Sequence, residues 1–135
     1  MGFCLLNVSC ELEMSDNGKL DGFWLLRTVD TLANERTTDV RELLVSWAFQ
    51  GRLMQAKQGT RPDEVLFSFE HRGDSLILFN PYFSDREVDD VEVTDANDLH
   101  FVGIQKLNER YKVLELSNST MRLQSGELQL TFKKY

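Results

Sequence analysis

The sequence has no cysteine after residue 10, no excess of basic side chains and no long apolar run, and each absence excludes a class of protein. A disulfide between Cys4 and Cys10 would close a tiny loop and staple nothing in the body of the chain. The only histidines, His71 and His100, are isolated and far from that pair, so a Cys/His metal site lacks partners. Fifteen Lys and Arg against 22 Asp and Glu leave a net charge of −7, which argues against nucleic acid as a partner, because phosphate affinity rests on clustered basic residues. No run of about 18 apolar residues supplies a membrane-crossing helix. A Gly-x-Ser-x-Gly elbow, an HExxH helix and a phosphate loop are all missing. A non-catalytic protein without a cofactor is therefore expected. What is present is the apolar content of a globular domain, 41% hydrophobic and 10% aromatic, in a length that suits one domain.

Both cysteines fall where they suggest processing. Phe3 to Val8 is mostly apolar, Ser9 is small, Cys10 follows, and Glu11, Glu13 and Asp16 turn the chain abruptly acidic. This resembles the end of a bacterial lipoprotein signal peptide, with its basic and apolar regions cut short. The expectation is a truncated signal remnant over 1–9, lipidation at Cys10, a flexible tether over 10–19 and a folded domain over 20–135. Cys4 is then an incidental apolar residue of the discarded segment. The acidic residues after Cys10 resemble the export signal of Bacteroidetes surface lipoproteins. A lipid anchor would place the protein in the cell envelope, at the outer membrane. The alternative is an unprocessed cytosolic chain with a frayed N-terminus.

From Leu20 onward, short runs of β-branched, aromatic and leucine residues alternate with turn residues, the pattern of an antiparallel all-β domain. Strands are expected at 20–29, 40–50, 53–57, 65–70, 75–79, weakly at 88–94, and at 111–116, 120–124 and 127–133. Val45, Trp47 and Phe49 share one face of their strand, as do Val65, Phe67 and Phe69, and again Leu128, Leu130 and Phe132. Residues 38–49 carry leucines that also suit a helix, but the β-branched and aromatic content favours a strand. Asn80-Pro81 is expected to end its strand, because proline cannot continue a central ladder. Asp95 to His100 suits a single helical turn capped by Thr94 or Asp95. Eight to nine antiparallel strands protect their edges most completely by closing into an up-and-down barrel.

Gly22-Phe23-Trp24 heads the first strand, and Gly-x-Trp in that place resembles the opening signature of lipocalins and other calycin barrels. The segments Trp47 to Leu53, Phe69 to Leu76, Tyr111 to Val113, Met121 to Leu123 and Leu130 to Lys134 are similar to a Bacteroidetes family of lipocalin-like lipoproteins of unknown function. The resemblance covers residues 20–135 and implies a lipocalin-like barrel, a lipid anchor and an envelope location. It transfers no catalytic residue. Many lipocalins lay an arginine of the last strand over the Gly-x-Trp indole, and Lys133 and Lys134 are the residues that stand in that place here.

Trp24, Trp47, Phe49, Phe67, Phe69 and Tyr82, with Phe79 and Phe132, supply an aromatic lining for the interior. An eight-stranded barrel either fills itself with side chains or holds one small ligand. Two binding readings follow: a small hydrophobic or amphipathic ligand inside these aromatics, or a solid barrel that engages another envelope protein through an exposed apolar patch. Asp85, Glu87, Asp89, Asp90, Glu92, Asp95 and Asp98 form an acidic segment that lacks the spacing of a calcium loop, so no metal is expected. Glu70, His71 and Asp74 contain acid–base chemistry, but neighbours along a strand point to opposite faces and do not converge. Arg72-Gly73-Asp74 is read as a turn.

Overall fold

The computed structural model describes residues 17–59, 61–84 and 90–135. Cys4, Cys10, the segment 1–9, the tether up to residue 16, and Asp85, Glu87 and Asp89 lie outside them. Among the described residues ten strands form one antiparallel sheet: β1 (Gly22–Thr31), β2 (Arg36–Asp39), β3 (Val45–Gln50), β4 (Leu53–Gln58), β5 (Glu64–Arg72), β6 (Ser75–Ser84), β7 (Val91–Glu92), β8 (Glu109–Leu116), β9 (Thr120–Gln124) and β10 (Leu128–Lys134). Neighbours run in chain order, with β2 and β7 off the ring. Pairing of β10 back onto β1, with Trp24 opposite Lys134 and Leu26 opposite Phe132, closes the remaining eight into a barrel. Closure satisfies the main-chain donors and acceptors of the two end strands, which would otherwise be open edges.

Side-chain alternation sends one residue in two to the interior. Trp24, Leu26, Val45, Trp47, Phe49, Met54, Ala56, Val65, Phe67, Phe69, Leu76, Leu78, Tyr111, Met121, Leu123, Leu130 and Phe132 are all buried. The turns read from sequence hold the ladder in register. Gly73 takes φ +58° in the two-residue turn between Arg72 and Ser75, a conformation that costs glycine nothing. Ser117 Oγ accepts the amide of Thr120 at 3.0 Å, and Ser125 Oγ accepts that of Leu128 at 3.1 Å, so these hydroxyls fasten the β8–β9 and β9–β10 turns.

Three expectations are corrected. The strand expected over 40–50 is split: Arg41–Leu43 is a 3-10 turn, Leu44 adopts the left-handed conformation at φ 55°, and β3 starts only at Val45, pairing with β1 from Ser46 onward. The leucines that resembled a helix belong to that turn and are exposed. Proline does not end β6. Asn80 takes φ 53°, and two residues, Asn80 and Pro81, stand against Phe67 alone, so Pro81 sits in a bulge where no ladder donor is required. The weak strand over 88–94 reduces to Val91–Glu92 among the described residues. Among the described residues the helical content is three 3-10 segments, Gly18–Leu20, Arg41–Leu43 and Ala96–Val102, of which only the last is longer than three residues. The last is capped as expected by Asp95, whose Oδ1 accepts the amide of Asn97 at 2.9 Å.

Candidate functional site

Of the eight aromatics expected to line a cavity, six reach the interior, Phe132 among them, and two, Tyr82 and Phe79, do not. Trp24, Trp47 and Phe67 expose 0% of their surface, Phe49 2% and Phe69 7%. Tyr82 is 42% exposed on the outer wall. Leu76 and Leu78 point inward, and plain alternation would carry Asn80 and Tyr82 in after them. The extra residue of the Asn80 bulge reverses the phase, which turns Pro81 in and Tyr82 out. Phe79 is half-buried in the outward phase.

The interior aromatics pack on one another. The Trp47 indole meets Phe132 at 4.7 Å between ring centroids, Tyr111 at 5.9 Å and Phe49 at 6.4 Å, and Phe49 stands edge-on to Phe69 at 5.1 Å. Residues with no surface open to a water-sized sphere border no void that could hold water, so Trp24, Trp47 and Phe67 are core rather than cavity wall.

Each end of the barrel has its own stopper. Leu20, from the 3-10 turn ahead of β1, is buried beneath Trp24, and its carbonyl accepts the Trp24 Nε1 proton at 2.9 Å. Lys134 covers the same indole, with Nζ 5.0 Å from the ring centroid and a 3.1 Å hydrogen bond to Lys19 O. Of the two candidate lysines, Lys134 therefore takes the lid position; Lys133 faces outward. Gly22 takes φ +128°, a conformation that residues with a Cβ rarely adopt, and a Cβ there would also push aside the end of the Lys134 side chain, whose Cε would lie 2.7 Å away. The opposite end is filled by Leu99, Val102 and Ile104, buried residues in and just after the third 3-10 segment, and Trp47 Nε1 donates to Val102 O at 2.9 Å across 55 residues of sequence. Arg61 stacks on Phe101 of the same segment, 3.9 Å from the ring centroid. Leu99, Val102, Ile104, Tyr111 and Met121 join this interior in addition to the aromatics expected there. Tyr111 and Met121 had a usable signal, their alternation with Val113 and with Leu123.

Two ionisable groups are enclosed with the core. Glu109 is 4% exposed, and burial raises its pKa above the ordinary value of 4.5; Glu127 adds to the rise, while Lys106 and the Arg110 amide oppose it. Burial, helped by Glu109, holds the Tyr111 phenol well above its ordinary pKa. Because Glu109 binds its proton more tightly folded than unfolded, stability is lost as pH rises from about 4.5 through the folded pKa. Glu109→Gln should therefore gain stability over the parent at pH 7 and lose most of that gain at pH 4. Urea midpoints of both proteins at the two pH values measure this, and an equal difference at both would rule it out.

His71 is half-buried and His100 exposed, and neither side chain makes a hydrogen bond or ion pair among the described residues. Asp90, Glu92, Asp95 and Asp98 join no metal-binding cluster there either.

Among the described residues an apolar groove lies on the outside of the barrel. The groove, of about 350 Å³, runs over β1, β3 and β4, lined by Phe23, Leu25, Leu44, Ser46, Gln55, Lys57, Gly59 and Tyr135. The Phe23 and Tyr135 rings lie 5.5 Å apart, and the Tyr135 amide donates to Phe23 O at 2.8 Å. Leu44 is 55% exposed in a backbone conformation that leucine rarely adopts.

A family model described as a lipocalin-like domain matches residues 3–135. Among solved structures, a lipocalin-like protein from Bacteroides uniformis ATCC 8492 superposes with a TM-score of 0.64 at 21% identity, covering 87% of this chain and 100% of its own. A protein from Bacteroides eggerthii DSM 20697 gives 0.62 at 17% identity, covering 86% and 99%. Identities this low carry the fold and nothing finer. No curated protein matches the chain.

Proposed function

This chain belongs to the lipocalin-like domain family, and we propose that it is a non-catalytic envelope lipoprotein whose barrel interior serves stability and whose outer wall binds another envelope protein. The observation that carries this reading is the filled interior: Trp24, Trp47 and Phe67 have no exposed surface, while Phe23, Leu44 and Tyr135 present apolar surface to solvent at 40%, 55% and 86%. An exposed leucine held in a left-handed backbone conformation opposes both solvation and local sterics, a pattern met more at contact sites than on inert surface. Lipidation at Cys10 would supply the membrane attachment, with the acidic tether setting the barrel off the bilayer.

The test is a photo-crosslinking amino acid placed at residue 44 in the producing cell, with residue 114, another exposed leucine, as the control. A discrete protein adduct at 44 and none at 114 is expected. Replacing Cys10 by Ser in the full-length gene should release the protein from the membrane fraction, and unchanged fractionation would sink the anchor.

A second reading, a small hydrophobic or amphipathic ligand among Trp24, Trp47, Phe49, Phe67 and Phe69, draws support from one observation. The stopper opposite Trp24 is a 3-10 segment, tied to the wall by the Trp47 hydrogen bond and the Arg61–Phe101 contact. Native mass spectrometry of protein from its own host that finds a retained small molecule, together with no adduct at residue 44, would put this reading first.

A further inference from the structure

The outer face of β1, β10 and the start of β9 carries a separate groove of about 350 Å³, whose walls include Arg27, Arg41, Lys133, Thr28, Thr131 and Asp39. Three cations against one carboxylate make it a basic site on a chain whose net charge is −7. Closure of the barrel brings these residues together. Thr28 lies opposite Thr131 on one side and Asp39 on the other, Lys133 lies opposite Leu25, and the bulge between Leu26 and Thr28 adds Arg27 to the same outward face.

The single carboxylate is already committed. Arg41 Nε donates to both Asp39 oxygens at 3.0 and 3.1 Å, Nη2 adds a 2.7 Å bond, and the Arg41 amide donates a fourth at 3.0 Å. Those bonds, with a smaller contribution from Arg27, lower the Asp39 pKa, so it stays ionised and paired. Arg27 and Lys133 make no side-chain hydrogen bond or ion-pair contact among the described residues, and Arg27 Nε is buried without an acceptor. Folded chains rarely leave a charged donor in that state, because water is lost and nothing replaces it.

We propose that this groove binds a phosphate ester, carried by a small soluble molecule or by a lipid headgroup. The Arg27 fork, the Lys133 ammonium and the Thr28 and Thr131 hydroxyls offer donors from two strands, more than the two oxygens of a carboxylate use and suited to the three of a tetrahedral phosphate. The ligand supplies acceptors for the Arg27 guanidinium and the Lys133 ammonium, the two cations of the groove that have no side-chain partner among the described residues. The chain's net negative charge offers no long-range attraction for anions, so binding depends on these short-range bonds.

The test is a ¹H–¹⁵N NMR titration of the full chain with sodium phosphate and with glycerol phosphate, each against sodium chloride at matched ionic strength. Saturable shifts at the Thr28, Thr131 and Lys133 amides and at the Arg27 Nε–H are expected with both phosphates and not with chloride. Arg27→Gln and Lys133→Gln should each weaken binding by about tenfold or more, the loss of one charge-assisted bond. Lys133 is exposed, so its variant reads the site even if Arg27→Gln perturbs the bulge. Vesicles containing phosphatidylglycerol, compared with phosphatidylcholine alone, identify the headgroup source if they bind and Lys133→Gln releases them. Shifts equal in phosphate and chloride with no vesicle binding, or binding indifferent to both substitutions, would overturn the proposal. The readouts do not involve residue 44, so the outer-wall reading stands or falls separately.

Discussion

Trp47→Ala is expected to lower the unfolding free energy by about 3–5 kcal/mol, a large part of the roughly 5–15 kcal/mol that a domain of this size possesses. The indole is fully buried, meets Phe49, Tyr111 and Phe132, and ties the far stopper to the wall through Val102 O. Truncation leaves a void among rings that other strands hold in place, so the site collapses only partly. Trp47→Phe separates the two contributions: it keeps most of the packing but leaves the Val102 carbonyl without its donor, at a cost of about 1–3 kcal/mol. Urea unfolding followed by far-UV circular dichroism measures both. A loss below about 1 kcal/mol for Trp47→Ala would mean that the interior does not rest on this ring.

Ending the chain after residue 130 is expected to abolish cooperative folding altogether. It removes Phe132, fully buried, and the pairs of Trp24 with Lys134, Leu25 with Lys133, Leu26 with Phe132 and Thr28 with Thr131. The loss of Phe132 alone accounts for about 3–5 kcal/mol. Opening the ring then exposes the edges of β1 and β9, and unpaired edges of apolar strands associate with one another. The shortened chain should elute as aggregate in size exclusion and show no sigmoidal urea transition. A monomer with a cooperative transition would show that β10 is an accessory rather than the closing strand.

Much of the strand plan was legible from residue order. The faces of Val45, Trp47 and Phe49, of Val65, Phe67 and Phe69, and of Leu130 and Phe132 all lie inward as alternation requires, because a strand's side-chain period is a local property. The caps and turns at Asp95, Gly73, Ser117 and Ser125 are local too, each set by one side chain and the few amides beside it. The Gly22 and Trp24 pair was recognisable by its spacing, and the structure adds the physical reason, a backbone φ of +128° that favours glycine beside the Lys134 side chain.

Three features needed the tertiary structure. Pro81 stays in its strand and Tyr82 faces solvent because two residues oppose one on the neighbouring strand, and a bulge is a property of a pair of strands. Whether the barrel would be hollow or solid could not be read from its aromatics, since filling depends on the summed volume of eight strands together with Leu99, Val102 and Ile104 from a loop with no strand signal. The basic groove joins Arg27 to Lys133 across more than 100 residues, and only closure of β10 on β1 makes them neighbours. The sequence by itself therefore determined the period, the turns and an acidic all-β domain, because these follow from each residue and its near neighbours. Tertiary structure decided which way the bulged strands face, what fills the barrel and where opposite charge is left unpaired, because each of these is settled by contacts between strands distant in the chain.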